Sequence, residues 1–457
     1  MFVDTQRSNR KQRREPGDGV ALERGVRQRL ADKVSGTLAG LWLLIPEHLR
    51  LGTWDLLLGW SGRPAPSVEP RLALQLVHEA ALCMTGIRQG RSLSQRGFEL
   101  ANGLPFLATD QVIHNLLNAH SVQEAQALQV ALGKLRRASG HFRGALLAID
   151  PHALRSYTKR QTVRRQCRAS DPPTKNTLTF FCLDTDTHQP IAFIIGSAAR
   201  TVAQATPDLL ELVQAILQPP PHETLILADN EHFCTALFEH VAKQTPFDLL
   251  TPMRATKGHD KQARALPPET FTPSWAGFAT AVLPYHPPKT SNLDLYQLIQ
   301  RCGEKEDEYR YKSFAATRAE DSVKALTQDY PQRWHIEEFF NLDQALGWNR
   351  AGTLNLHIRY GHMTLALVAQ TVIHQFRQRV GEPFSAWEAS HLAQNLFQAL
   401  EGDVRVVDDT IVVTYYNAPN ADILRQHYEH LPQKLQAEHI NPTVPWLYDL
   451  KLDFRFK

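Results

Sequence analysis

Three carboxylates in this chain could together hold metal ions. Asp150 follows an apolar run at residues 146–149, and Asp229 follows a second one at 225–228. If these runs are neighbouring strands of one sheet, both carboxylates lie at the same edge, where Glu337 could join them from a helix packed across it. Three oxygen donors at one point suit two Mg²⁺ ions. Two such ions activate a water and stabilise the leaving oxygen of a phosphodiester.

Glu337 belongs to a stripe of polar side chains in the segment YPQRWHIEEFF. On an α-helix, at about 100° per residue, Tyr330, Arg333, Glu337 and Gln344 fall within an arc of about 60°. A phenol, a guanidinium and a carboxylate on one face suit a site that holds a metal beside a phosphate. The alternative is a solvated helix face with a surface pair between Arg333 and Glu337.

Each aspartate also has a purely structural interpretation. Asp150 stands before Pro151 and could cap a helix, and Asp229 could cap a helix that starts two residues later. Asp184 and Asp186 look like a further metal pair, but they lie in a predicted hairpin turn, where aspartate is favoured for local hydrogen bonds. We therefore exclude that pair from the predicted site.

A basic run follows Asp150 and has no acidic residue before Asp171. It would attract phosphates and hold a DNA strand across the metals, unless it is only a solvated loop. Its members are Arg155, Lys159, Arg160, Arg164, Arg165 and Arg168. Trp275, further along, could stack on an extruded base or belong to a core.

Composition narrows the class of protein. The 457 residues are 43% hydrophobic and 21% charged, with a net charge of +3, as in an ordinary globular protein. The five cysteines show no CxxC pair, which argues against disulfides and structural zinc. No signal peptide and no membrane-spanning run is recognisable, so we expect a soluble intracellular protein.

The hydrophobic periodicity predicts several regions along the chain. They are a basic arm at 1–35; a helical domain at 36–138 with a possible DNA-reading helix pair at 92–102 and 109–118; the first part of an α/β core at 139–250; a β-rich insertion at 251–316; the second part of the core, with the Glu337 helix, at 317–395; and a C-terminal region at 396–457. The order of strands and helices after residue 142 describes a mixed sheet flanked by helices.

The motif Tyr330-x-x-Arg333-x-x-x-Glu337 resembles the Y-x2-R-x3-E-x6-K signature of bacterial insertion-sequence DDE transposases, the branch called insertion sequence family four. The segments LLAID and LILADN, which contain Asp150 and Asp229, are similar to the surroundings of that family's first two catalytic aspartates. YRYKSFAAT resembles its lead-in to the last catalytic helix. The resemblance covers roughly residues 140–380. One position departs, because Gln344 stands where the family has lysine.

The resemblance implies a ribonuclease H-like core and Mg²⁺-dependent nicking at transposon ends, followed by strand transfer into target DNA, with Mn²⁺ as a substitute ion. Asp150, Asp229 and Glu337 would bind two metal ions, and Tyr330 and Arg333 would grip phosphate. Gln344 would do so more weakly, since an amide supplies no charge. The family's partners are double-stranded DNA, at the end repeats and the target, and a second copy in a synaptic dimer. The location would be the bacterial cytoplasm, at the nucleoid when DNA is bound.

Two other functions stay open on the sequence. A catalytically inactive DNA-binding protein derived from a transposase is favoured only by Gln344. A ribonuclease H-like nuclease would cut DNA without joining it. The three intact carboxylates speak against the first, and only an assay of joining separates the second.

Overall fold

The computed structural model describes residues 19–36, 38–84, 97–156, 161, 163–165, 172–197, 199–287, 293–348, 353 and 355–457. The chain groups into two compact units. The central unit is Gly133–Asn341, and the split unit joins Met1–Leu132 to Leu342–Lys457. Among the described residues, no helix is long and apolar enough to cross a membrane.

The strands build two sheets. In chain order they are β1 (Val34–Gly36), β2 (Leu146–Arg155), β3 (Arg164–Arg165), β4 (Thr174–Asp184), β5 (Gln189–Ser197), β6 (Thr224–Ala228), β7 (Phe247–Pro252), β8 (Thr272–Trp275), β9 (Phe278–Tyr285), β10 (Leu295–Cys302), β11 (Arg310–Ala316), β12 (Gly402–Val407), β13 (Thr410–Tyr415), β14 (Thr443–Val444) and β15 (Leu450–Phe456).

The core of the central unit is a mixed sheet in the order β5-β4-β2-β6-β7. Strand β4 pairs antiparallel with both β5 and β2, whereas β6 runs parallel to β2 and β7 runs parallel to β6. Three antiparallel strands followed by two parallel ones form the ribonuclease H-like arrangement. The predicted fold class, a mixed α/β sheet flanked by helices, is confirmed.

The parallel strands need helical crossovers, and the chain supplies them. Val202–Leu217 lies between β5 and β6, and Thr201 begins it with a capping box to Gln204. Thr235–Gln244 lies between β6 and β7. Both β6 and β7 are buried along their whole length, as expected of strands covered on two faces.

The segment predicted to be a β-rich insertion extends this same sheet. Strand β11 pairs antiparallel with β7, and β10, β9 and β8 follow outward in that order. The last two strands of this segment are Leu295–Cys302 and Arg310–Ala316. The segment also contains a short helix, Lys257–Arg264.

The remaining helices are distributed over both units. Those of the split unit are Gly19–Ala31, Ile45–Leu51, Thr53–Ser61, Glu69–Ala81, Phe98–Ala101, Asp110–Ala119, Leu356–Val380, Ala389–Leu392, Ala421–Tyr428 and Leu431–Ala437, and Val122–Ala138 runs from it into the central unit. Ser322–Lys324 and His335–Asp343 belong to the region of Glu337.

The split unit joins the two ends of the chain. The buried helix Leu356–Val380 packs against Glu69–Ala81, and β1 pairs with β12. Residues 342–395, predicted as part of the core, therefore group with the N-terminal helices. The region 36–138, predicted to be helical, begins with Gly36, the last residue of strand β1. The domain boundaries predicted from the sequence stay predictions. The first residues of the possible helix pair, 92–96, lie outside the described residues.

Candidate active site

Asp150 and Asp229 lie at the same edge of the central sheet. The parallel pairing of β2 with β6 ends at Ile149 opposite Ala228, so each aspartate is the next residue of its strand. Strand β2 continues past Asp150 along β4 as far as Arg155, and Asp150 therefore does not begin a helix. The capping interpretation of Asp150 is excluded.

Asp229 is held by its own turn. Its Oδ1 accepts hydrogen bonds from the backbone N of Glu231 at 2.9 Å and from Nδ1 of His232 at 2.8 Å. It caps the short 3-10 helix Asn230–His232. Asp229 is therefore a capping residue, and it also lies at the edge where the site was predicted. Burial alone would raise the pKa of Asp229, but the hydrogen bond from His232 leads the opposing effects, and they lower it.

His232 was not among the predicted site residues. Its side chain is buried, and its ring nitrogen donates to one oxygen of Asp229. The sequence carries a signal for this contact, since Asp229 and His232 are three residues apart in a tight turn.

The segment that carries Glu337 is not one regular α-helix. A π-turn, Ala325–Asp329, is followed by the 3-10 turn Tyr330–Trp334, the α-helix His335–Asp343 and the 3-10 turn Gln344–Leu346. The arc calculated from 100° per residue is therefore wrong in detail, because 3-10 turns advance about 120° per residue. The side chain of Gln344 lies outside the described structure, so its predicted role stays a prediction.

The helix His335–Asp343 is anchored on the face of the sheet that bears Asp150. Phe181 of β4 stands opposite Asp150 in register, so both side chains lie on the same face. The ring of Phe340 packs 5.3 Å from that of Phe181 and 4.4 Å from that of His152, measured between centroids. Phe339 also contacts Phe181, at 5.8 Å. These apolar contacts hold the helix that carries Glu337 against the sheet.

Arg333 brings the predicted residues together. Its Nη1 lies 3.7 Å from Oδ1 of Asp150, and its Nη2 donates to Oε1 of Glu337 at 2.9 Å. The side chains of Arg333 and Asp150 are each 17% exposed and that of Glu337 is 34% exposed, so the group is only partly accessible to solvent. Arg333 and Glu337 form the pair expected four residues apart, but in a site and not on a solvated face.

The site carries more negative charge than it neutralises. Burial raises the pKa of Asp150 to about 8, and the charges of Asp229 and Glu337 add to that rise, whereas Arg333 opposes it. The three carboxylates thus influence one another although they are distant in sequence. A buried carboxyl group with such neighbours is typical of a site that receives a cation.

Tyr330 is hydrogen-bonded to the end of β6, next to Asp229. Its hydroxyl donates to the carbonyl of Ala228 at 3.3 Å, directly before Asp229. Burial raises the pKa of Tyr330 to about 12, so the phenol stays neutral at physiological pH. The residue therefore acts as a hydrogen-bonding brace at the end of β6.

The donor set fits a divalent cation, with one condition. Carboxylate oxygens are the ligands that Mg²⁺ and Mn²⁺ prefer, and both burial and the neighbouring carboxylates raise the pKa of Asp150. Yet among the described residues no three His, Cys, Asp or Glu side chains are placed to share one metal ion. Arg333 contacts two of the carboxylates, so an ion held by all three requires these side chains to rearrange.

The basic run is described only in part. Arg164 is exposed in β3, and the backbones of Arg155 and Arg165 lie in strands. Lys159 and Arg160 lie outside the described residues. The predicted grip on DNA by this run stays a prediction.

Two other side chains have clear positions. Asp184 accepts hydrogen bonds from the backbone N of Arg143, Gly144 and Thr187, as expected of a residue that stabilises its turn. Trp275 is 55% exposed and stacks on Phe278 with ring centroids 4.3 Å apart, so it is not a core tryptophan.

Comparison with known proteins gives a family match for one region of the chain. Residues 145–371 match the family model of the transposase DDE domain. This segment is similar to a DDE transposase domain. The match spans Asp150, Asp229 and Glu337, and it confirms the predicted function and enzyme class, a DDE transposase. It does not resolve the branch called insertion sequence family four.

Other comparisons found distant likenesses only. No curated protein matches the chain. A structure of the piggyBac transposase synaptic complex with hairpin DNA is 13% identical over 80% of this chain and 82% of that one, with a TM-score of 0.43. The Mos1 transposase paired-end complex with the left transposon end is 15% identical over 37% of this chain and 57% of that one, with a TM-score of 0.17. The assignment of the DDE transposase domain rests on the family match.

Proposed function

We propose that the protein cuts DNA at the ends of its own mobile element and transfers the freed 3′-hydroxyl into target DNA, with the DDE transposase domain as the catalytic part. The observation that carries this proposal is the meeting of Asp150 and Glu337 on Arg333, at the edge where Asp229 follows β6. A site of this kind has the acidic and basic groups that phosphoryl transfer requires.

Each side chain has a defined part in the proposed reaction. Asp150, Asp229 and Glu337 would hold two Mg²⁺ ions, or Mn²⁺, and these ions would supply an activated oxygen nucleophile and a stabilised leaving oxygen. His232 holds one oxygen of Asp229, which leaves the second oxygen for a ligand. Arg333 would move from the carboxylates to the phosphate once the cations neutralise them, because a guanidinium binds phosphate oxygens in pairs.

The substrate we infer is double-stranded DNA, both the end repeats and the target. The basic run from Arg155 to Arg165, with Tyr330 and Gln344, would contact phosphates around the cut. We further propose a homodimer that pairs two ends, and a bacterial enzyme of insertion sequence family four that works at the nucleoid. The spacing of Tyr330, Arg333 and Glu337 supports the family proposal.

The test is an assay of cutting and joining. Purified protein is incubated with Mg²⁺, a duplex from the DNA that flanks the gene, and a supercoiled target plasmid. We expect nicked ends and plasmid carrying the joined duplex, both abolished by EDTA. Cutting without joining would mean a nuclease, and binding without cutting would mean an inactive DNA-binding descendant.

The first test of the site is Glu337→Ala. Cutting should be lost, by a factor of about 10³ or more if a metal ligand is removed, while affinity for the duplex changes little. Glu338→Ala is the matched control, since Glu338 is exposed on the same helix and should keep full activity. Loss of cutting and of duplex binding together in Glu337→Ala would contradict the assignment and make Glu337 a structural residue.

A further inference from the structure

We propose that Lys312 is a phosphate-binding residue of this active site, where it holds the DNA backbone beside Arg333. The inference rests on the proposed function, because it takes DNA as the ligand. Lys312 belongs to the sheet extension and not to the segment that carries Tyr330 and Glu337.

The position of Lys312 follows from the register of β11. Alternate residues of a strand share a face, so Lys312 lies on the same face as Phe314, whose ring packs against Tyr330 at 4.9 Å between centroids. The ammonium nitrogen of Lys312 lies 5.0 Å from the centroid of Phe314 and 5.6 Å from that of Tyr330. The fold thus places Lys312 next to Tyr330, the residue that is hydrogen-bonded to the end of β6.

Tyr330 connects this ammonium to the catalytic edge. Its ring contacts Lys312, and its hydroxyl is bonded to the carbonyl that precedes Asp229. The charge of Arg333 is also felt at Lys312, since burial and that guanidinium together lower the pKa of the lysine. Lys312 therefore lies close enough to Arg333 for the two positive charges to interact.

Only one of these two cations is neutralised. Arg333 contacts Asp150 and Glu337, whereas Lys312 has no carboxylate within salt-bridge distance in the described parts of the chain. Two neighbouring positive charges with no anion between them repel each other, and a phosphate between them would remove that repulsion. A DNA phosphate that approaches the carboxylate edge fits this position.

A lysine at position 312 is relevant to Gln344. The signature that this chain resembles has lysine there, whereas this chain has a neutral amide. Lys312 supplies a lysine charge from a different element, a strand of the sheet extension. The competing explanation is structural, because an ammonium over two aromatic rings stabilises their packing without any ligand.

The salt dependence of DNA binding separates the two explanations. Each protein charge that neutralises a phosphate adds about 0.9 to the slope of log affinity against log salt concentration. The binding of a fluorescent duplex from the gene's flank is titrated in EDTA at several KCl concentrations. The proteins are wild type, Lys312→Met, Lys312→Gln and Lys312→Arg. Lys243→Met is the control, because Lys243 is an exposed lysine already paired with Glu239.

We expect Lys312→Met and Lys312→Gln to lower the slope by about one and to weaken binding at low salt about 10- to 100-fold. Lys312→Arg should keep the wild-type slope, and so should Lys243→Met. An unchanged slope in the two neutral variants, with or without a lower melting temperature, would overturn the proposal in favour of the structural role. If wild-type protein binds the duplex but never cuts it with Mg²⁺, the proposed function fails, while the slope still decides whether Lys312 binds phosphate.

Discussion

Replacing Asp150 by asparagine should make the protein more stable in the absence of divalent ions, and the gain should grow with pH. The pKa of this carboxyl group is raised from 3.8 to about 8 in the folded protein. The folded state therefore binds the proton more tightly than the unfolded state does. By linkage, the free energy of unfolding of the wild type falls as pH rises from about 4 to about 8, and it levels off above that range.

The size of the effect follows from the pKa. At pH 7 the carboxyl group is ionised in the unfolded chain and mostly protonated in the folded one, a difference worth about 4 kcal/mol at about 1.4 kcal/mol per tenfold change. This is an upper limit, because the side chain keeps 17% of its exposure and its neighbours relax. We expect roughly half, about 2 kcal/mol, and a rise in melting temperature of about 4–8 °C for a unit of this size.

The measurement is thermal unfolding in EDTA at pH 5, 6, 7 and 8, for wild type and Asp150→Asn. The difference in melting temperature should be small at pH 5 and should increase to pH 8. Glu338→Gln, on the exposed face of the neighbouring helix, should show no such trend. A constant difference across this range, or an Asp150→Asn protein that is less stable at pH 8, would refute the account of crowded carboxylates at this edge.

Two further predictions concern the residues that hold the site. His232→Ala should weaken Mn²⁺ binding in calorimetric titrations about 10- to 100-fold, because Asp229 loses the hydrogen bond that orients it; His232→Gln, which still has a donor, should lose less. Equal Mn²⁺ affinity in wild type and His232→Ala would show that the contact is incidental. Phe340→Ala should lower the free energy of unfolding in urea by about 3–5 kcal/mol and reduce cutting, since this buried ring anchors the Glu337 helix on Phe181; Phe340→Leu should cost less, about 1 kcal/mol. A loss below 1 kcal/mol in Phe340→Ala would mean that the helix is held by other contacts.

The sequence allowed the edge of the site to be predicted because local patterns determine it. An apolar run that ends in aspartate marks where a buried strand reaches the surface, and two such runs marked Asp150 and Asp229. The contact between Arg333 and Glu337 was predictable for a similar reason, because side chains four residues apart on a helix are neighbours.

Contacts between distant parts of the chain could not be predicted in this way. The contact of Arg333 with Asp150 and the approach of Lys312 to Tyr330 depend on which strands pair, and the local pattern does not encode strand partners. The change from π-turn to 3-10 turn to α-helix could not be predicted from a uniform rotation of about 100° per residue, because each helix type has its own rotation. Pro331, at the start of the 3-10 turn, has no backbone N–H to donate, and this was the one local hint.

The pairing of β11 with β7 restricts how this enzyme could be shortened. The chain leaves β7, forms the outer strands, and returns through β11 to the strand it left, and only then enters the turn that leads to Glu337. Excision of β11 together with the outer strands would uncover the side of β7 and remove the strand that directly precedes the Glu337 segment. A minimal version of this enzyme must therefore retain β11, and variation in length is tolerated best farther out, around β8 and β9.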